Sequence, residues 1–188
     1  MAYIQTVSES QAQGELAQLY KRVGNPDGTV DNVMKIHALN PDSLRTHFQM
    51  YTEAMHKPSP LTRAEREMVA TEVSRVNGCA YCLAHHNQGL KRLLPTDRHE
   101  AAQELKEGRL ELLTDREKAI VLYARKLTTT PQQMMENDVK ALRDAGLDDR
   151  AILDLAQCIG YFNYVNRIVL GLGVTLGQGE SEPGQWPG

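Results

Sequence analysis

Apolar side chains recur along this chain every three or four residues, the period of an amphipathic helix, and no alternating run of useful length marks a strand. Leu16, Leu19, Tyr20 and Val23 make a first stripe that stops at Gly24, with Ser8 or Ser10 placed to cap it. Asn25 to Thr29 is a turn by composition. Asn40-Pro41 joins a capping side chain to a proline at the first helical position, and Leu44, Phe48, Tyr51 and Met55 follow on one face. Lys57-Pro58-Ser59-Pro60 then breaks the chain. Thr62-Arg63-Ala64-Glu65 is a capping box that opens a helix ending at Asn77-Gly78, and a new helix starts at once near Cys79 and runs to Leu94 before Pro95. Thr96 to Glu107 predicts a short helix stopped by Gly108. A second capping box, Thr114-Asp115-Arg116-Glu117, opens a helix through Leu127 that Pro131 terminates. Another helix ends at Gly146, and Asp148 or Asp149 caps the last, Ile152 to about Leu172. The shared pattern Leu-Thr-x-x-Glu at Leu61 and Leu113 reads as one capping device used twice rather than as a duplication.

The pattern therefore predicts an all-α, multihelical single domain, and 188 residues suffice to bury a substantial core. Residues 1–60 are expected to be N-terminal helices packed on a core of residues 61–176, with a flexible tail over 177–188. Apolar residues make up 41% and charged residues 24%, as in ordinary soluble globular proteins. A net charge of −3 offers no footprint for nucleic acid or an anionic membrane. The longest apolar-and-glycine run, Ile168 to Val174, is far short of the roughly 20 residues of a spanning helix. The first residues show neither a basic nor an apolar leader region, so a cytoplasmic location is expected. Three cysteines cannot build a secreted disulfide framework, and the spacing of two of them matters more than their number.

Those two are Cys79 and Cys82, followed by His85 and His86 and preceded by Glu67. At about 100° per residue, Cys82 lies roughly 60° from Cys79 around the helix and His86 about 20° from it. Two sulfurs and an imidazole thus share a face. Cys79 stands near a helix start, where free N–H groups stabilise a thiolate, and Cys82 and His86 are neighbours at i and i+4. Such surroundings lower a thiol pKa from about 8.5 into a range of roughly 3.5 to 7.5. Spacing i,i+3 also lets a disulfide close and reopen. Two structural cysteines are the plainer alternative. Zinc fits poorly, because one helix spreads Cys79 and His86 over roughly 10 Å of rise and no second Cys-x-x-Cys completes a ligand set. A thioredoxin-like unit needs flanking strands, which are not predicted here.

Glu67, eleven residues, Cys79-x-x-Cys82, three residues and His86 together resemble the signature of the alkylhydroperoxidase D / carboxymuconolactone decarboxylase superfamily. The stretches Leu61–Glu67, Asn77–His86 and Tyr161–Arg167 resemble its uncharacterised peroxidase-related branch, and the likeness runs from about Gly14 to Leu176. The resemblance implies an all-helical AhpD-like bundle assembled as a homo-oligomer, a trimer or hexamer. It implies a thiol-dependent peroxidase with no metal or organic cofactor, reducing a small peroxide and re-reduced by an external dithiol donor, a lipoyl domain or other redox protein. Cys82 would attack and become a sulfenic acid, Cys79 would resolve it to a disulfide, and His86 with Glu67 would relay protons. From the residues alone the attacking sulfur stays open, since Cys79 has the better place at the helix start. The family's hydroperoxidases carry a histidine where this chain has Tyr81, which implies a shorter relay and slower or no peroxidase turnover. A protein disulfide/dithiol relay without peroxidase activity and a non-catalytic redox-sensing helical oligomer are the alternatives. A lactone decarboxylase, which needs no vicinal dithiol, ranks below them.

Further candidates surround this core set. Tyr81 reads equally as a hydrogen-bond donor near the thiols or as helix packing, and His85 as a rim residue or a solvated neighbour. Glu72 falls within an apolar stripe and calls for a buried partner such as an arginine. Asn163, Asn166 and Arg167 are spaced to line a pocket or to join helices, and Asn163 is carried as an outer site residue. His37, His47, His56 and His99 are scattered and form no recognisable ligand set, and Cys158 sits among apolar residues as a core thiol.

Overall fold

The computed structural model describes residues 2–176; the tail expected over 177–188 lies outside them. Among the described residues there are nine α-helices and no strands. They are α1 (Gly14–Val23), α2 (Asn32–Lys35), α3 (Pro41–Met55), α4 (Arg63–Val76), α5 (Ala80–Leu93), α6 (His99–Lys106), α7 (Asp115–Thr129), α8 (Glu136–Asp144) and α9 (Asp149–Gly171). No described helix is long and apolar enough to cross a membrane.

Helix boundaries follow the local chemistry of the chain. Asn40 accepts from the Ser43 N–H at the start of α3, and Asp148 accepts from the Ala151 N–H at the start of α9. Both capping boxes are complete, Thr62 with Glu65 and Thr114 with Glu117. The first helix departs from expectation. Neither Ser8 nor Ser10 caps α1; Ser8 closes its own turn, accepting from the Gln11 and Ala12 N–H groups, and α1 starts only at Gly14, whose φ is +55°. The single turn of α2 was not predicted, because four residues are too few to show a period.

Helix α4 is the hub, packed on α3, α5, α6, α7 and α9 and buried from Glu65 to Ser74. Val69, Ala70 and Val73 join Ile120 and Ala124 of α7 and Leu155, Ile159 and Phe162 of α9 in the main core. Its other side meets Leu90 of α5, Leu105 of α6 and Val121 of α7 through Met68. Cys158 is fully buried, its thiol 3.9 Å from the Met55 sulfur.

So central a helix forces its acids to find partners, because an unpaired buried carboxylate is strongly disfavoured. Glu65 caps α4 and also accepts from the Arg116 Nε at 2.6 Å. Glu117 repeats the device on α7 with Arg98, at 2.9 and 2.8 Å. Glu72 is wholly buried and accepts from both ends of the Arg75 guanidinium, at 2.9 and 2.7 Å, and from the Arg125 Nε. The buried arginine partner expected for Glu72 is therefore present twice over.

Removing that carboxylate leaves two guanidinium groups half-buried without their counter-charge. Glu72→Ala is expected to lower the free energy of unfolding by about 3 kcal/mol, measured by urea denaturation. A loss below about 1 kcal/mol would show that the arginines find solvent unaided.

Candidate active site

The sequence Asn77-Gly78-Cys79 ends one helix and starts the next within a single turn. Gly78 takes φ of +68°, the left-handed conformation that suits glycine, and the Cys79 N–H reaches back to the Ser74 carbonyl at 2.9 Å. Cys79 is at the same time the N-cap of α5, so Cys82 sits in its first turn. The turn is tethered from the side chain of Asn77, whose amide donates to Asn163 Oδ1 at 3.2 Å and Asn166 Oδ1 at 3.0 Å on α9.

This reversal lays α5 against α4. The Glu67 carboxylate, buried from solvent, accepts a hydrogen bond from His86 Nδ1 at 2.8 Å. Since Glu67 holds Nδ1, the Nε2 of His86 is left for chemistry. The ring is set edge-on to Phe162 of α9, centroids 4.6 Å apart. Cys79 and Cys82 are free thiols with sulfurs 2.6 Å apart, 1% and 4% exposed.

The bond between the sulfurs splits their acidities. It holds Cys79 below the usual thiol range, whereas the same bond, followed by burial, pushes Cys82 far up despite a hydrogen bond from Asn166. The pair thus gives up one proton and keeps the second, and that titration belongs to the pair. Cys79 is therefore the more acidic of the two, whereas Cys82 is the sulfur that reaches open space.

That space is a cavity of about 440 Å³. Cys82, His86 and Glu67 line it together with Tyr51, Tyr81, Tyr161 and Phe162 as an aromatic wall. His56 and Arg63 form a polar stretch, and Val33 and Met34 of the unpredicted α2 segment cover it. Among the described residues no three His, Cys, Asp or Glu side chains group as a metal site.

Residues 41–107, from the start of α3 through α6, match the family model of the carboxymuconolactone decarboxylase family. An uncharacterised peroxidase-related protein from Silicibacter sp. TM1040 has a similar crystal structure, with a TM-score of 0.86 and 28% identity over 99% of this chain and 96% of that one. A second, from Ralstonia eutropha JMP134 and described as an alkylhydroperoxidase AhpD core, gives 0.82 and 25% identity over 93% and 91%. The uncharacterised protein YdfG of Bacillus subtilis strain 168 is 23% identical over 137 residues, 73% of this chain and 91% of its own. Residues 41–107 thus carry the match to the carboxymuconolactone decarboxylase family, and the chain as a whole is similar to AhpD-like, peroxidase-related structures.

Around this AhpD-like core the outer candidates separate. Tyr81 lines the cavity, its hydroxyl accepting from the Val33 N–H at 3.4 Å and its ring against His85 at 4.5 Å. His85 also lines it, and burial, then His86, lowers its pKa to about 4. Two expectations need correction. Glu72 lies outside the cavity wall, because its carboxylate is committed to Arg75 and Arg125. Asn163 is drawn to Asn77, Thr128 and Arg167, and the amide beside Cys82 belongs instead to Asn166, one turn along and also donating to Ser74.

Other residues of the site went unrecognised in the sequence. Two of the scattered histidines meet: His37 and His47 stack with centroids 4.4 Å apart, and His47 Nε2 lies 3.4 Å from the Tyr161 hydroxyl. A third, His56, reaches the cavity beside Arg63. Gly89 is the remaining one. A Cβ there would come within 3.1 Å of the Glu67 carboxyl carbon, so any larger residue would make the carboxylate shift by a few tenths of an ångström, whereas glycine lets it lie against α5. A lone glycine inside a helical pattern is the one local signal that pointed to such an approach.

Two outcomes follow from this arrangement. Gly89→Ala gains helix propensity, yet it is expected to push Glu67 off His86 and lower any His86-dependent activity about tenfold, read as turnover at fixed pH. Unchanged turnover would dissociate Glu67 from the function. The second outcome concerns pH. Burial lowers the pKa of His37, that of His47 to about 3, and those of His56 and His85 to about 4. Their unfolded forms take up protons near pH 6.5 and the folded forms do not, so stability should fall as pH drops from about 6.5 towards 4. His47 and His85 would each contribute up to about 1.4 kcal/mol per pH unit in that window, measured by urea unfolding. A flat profile would contradict their burial as neutral rings.

Proposed function

We propose that the protein is a thiol-dependent peroxidase that works through Cys82, Cys79, His86 and Glu67. One observation carries the reading: a vicinal thiol pair opens onto a small-molecule cavity at Cys82, beside a histidine already oriented by a buried carboxylate. Cavities of ~300–1,000 Å³ suit small molecules, and two sulfurs at 1% and 4% exposure are more readily reached through that cavity by a small peroxide or a slender dithiol arm than by the surface of a folded partner. The dithiol relay is therefore the second reading.

A thiol proton passes to His86, leaving the pair with one negative charge, and the proton shared between the sulfurs shifts to Cys79 as substrate arrives. The Cys82 thiolate donates an electron pair to the terminal peroxide oxygen, and the O–O bond breaks. Cys82 becomes a sulfenic acid, and the departing alkoxide takes the proton from His86 and leaves as the alcohol. The Cys79 thiol then displaces the sulfenic oxygen as water, forming the Cys79–Cys82 disulfide. An external dithiol, a lipoyl domain or another redox protein, returns two electrons and two protons and is itself oxidised to a disulfide. Glu67 holds His86 in position and balances its charge. Tyr81, in the place of a relay histidine, donates no proton to this cycle.

A homo-oligomer, trimer or hexamer, in a reducing cytoplasm completes the proposal. Leu93, Leu122, Leu153 and Leu170 are exposed apolar side chains that assembly would cover. Reduction of the disulfide requires a reducing compartment.

The decisive measurement is peroxide consumption with a dithiol donor. Cys82→Ser should fall to background, Cys79→Ser should stop after one turnover as a sulfenic acid, and His86→Ala should lose about 10²-fold in kcat. Wild-type rates no higher than those of Cys82→Ser would overturn the peroxidase reading. Turnover of a lipoyl disulfide with inert peroxide would put the relay in its place.

A further inference from the structure

The cavity is far larger than its chemistry demands of hydrogen peroxide. At about 440 Å³ it exceeds the ~30 Å³ share of one water more than tenfold, and Tyr51, Tyr81, Tyr161 and Phe162 give its wall apolar ring surface. Its polar stretch has an unusual state of satisfaction. Arg63 donates from NH1 to His56 Nδ1 at 2.9 Å, and a guanidinium can only donate, so the His56 proton is on Nε2. Burial, then the Arg63 charge, lowers the His56 pKa to about 4, so this ring is a neutral donor near pH 7. Its Nε2 and the Arg63 Nε are both buried polar atoms with no partner among the described residues. No described carboxylate lies within 4 Å of the Arg63 charge, and the nearest acid along its face, Glu67, is already engaged by His86. Asp31 and Arg92 add one charge of each sign elsewhere on the wall.

Two donor groups, one of them permanently cationic and each with one nitrogen that meets no acceptor, call for a ligand that only accepts and carries negative charge. A carboxylate does both and fits the planar fork of arginine. We propose that the substrate of this cavity is an organic peroxide that also carries a carboxylate, and that Arg63 with His56 holds the carboxylate while Cys82 meets the peroxide. The peroxide half rests on the function proposed above; the carboxylate half rests on Arg63 and His56 alone. Arg63 and Glu67 are four residues apart on α4, so the carboxylate subsite is set one helical turn from the acid that holds His86, and a spacer joins the two groups of the substrate. The rings of Tyr51, Tyr161 and Phe162 supply the apolar surface for such a spacer. The chemistry is unchanged: the terminal oxygen goes to the Cys82 sulfur, the O–O bond breaks, and the alcohol departs with its carboxylate intact.

A matched pair of substrates tests this, cumene hydroperoxide and its ring-carboxylated counterpart, 4-carboxycumene hydroperoxide, with 4-isopropylbenzoate as the unreactive probe. The wild type is expected to show a KM at least tenfold lower for the carboxylated peroxide. Arg63→Gln should erase that difference, chiefly through KM, and Arg63→Lys should restore part of it. Calorimetry should detect 4-isopropylbenzoate binding to the wild type and its loss in Arg63→Gln. Equal KM values with no binding of the probe would overturn the carboxylate assignment while leaving the peroxidase reading intact. Probe binding that depends on Arg63, with both peroxides inert, would uphold the carboxylate subsite and remove the peroxidase reading. Because Arg63 opens α4, Arg63→Gln is first compared with the wild type by thermal unfolding. If it does not fold, the wild-type preference between the two peroxides and the probe binding decide alone.

Discussion

A single hydrogen bond, from His86 to the buried Glu67 carboxylate, sets the terms for the rest of the structure. A carboxylate at that depth needs a partner, and the partner must come from another helix brought very close. Gly89 removes the side chain that would hold α5 away, and Gly78 supplies the left-handed turn that sends α5 back along α4. The same turn places Cys79 at the N-cap and Cys82 in the first helical turn, one turn below His86. Once these two helices are clamped, the spacing of sulfurs, imidazole and carboxylate has little freedom left.

The acids of α4 show how one residue type serves different ends according to its partner. Glu65 and Glu72 face Arg116 and Arg125 of α7, whose charge does not vary over any physiological pH, so those contacts fasten the two helices together. Glu67 faces an imidazole, which can both give and take a proton where a guanidinium can only donate. Along one helix, the exchange of guanidinium for imidazole divides scaffold from chemistry.

Much of this was legible in the sequence because it is local. Both capping boxes, the Asn77-Gly78 reversal and the shared face of Cys79, Cys82 and His86 depend on spacings of a few residues, which helical geometry translates directly. Glu67 is identified by the family spacing, since nothing local shows that its carboxylate meets α5. What escaped is nonlocal. His56 and Arg63 come together across the Pro58-Ser59-Pro60 break, and His37 meets His47 across the start of α3, pairings that no periodicity encodes. Asn163 and Asn166 differ by less than one helical turn, and only the packing angle of α9 decides which amide reaches the thiols. Glu72 was read correctly as needing an arginine and wrongly as near the site, since a buried acid reports its need and not its address.

The cavity wall has a divided origin. Thiols, imidazole, carboxylate and Arg63 all fall within residues 41–107, the segment shared with the family model. Val33 and Met34 come before that segment, and Tyr161, Phe162 and Val165 come well after it. The reacting groups and much of their enclosure are thus written in separate stretches of chain. Descendants of such a protein could exchange the enclosure for another without disturbing the reaction, which makes the scaffold easy to retarget and its sequence motif a poor guide to diet.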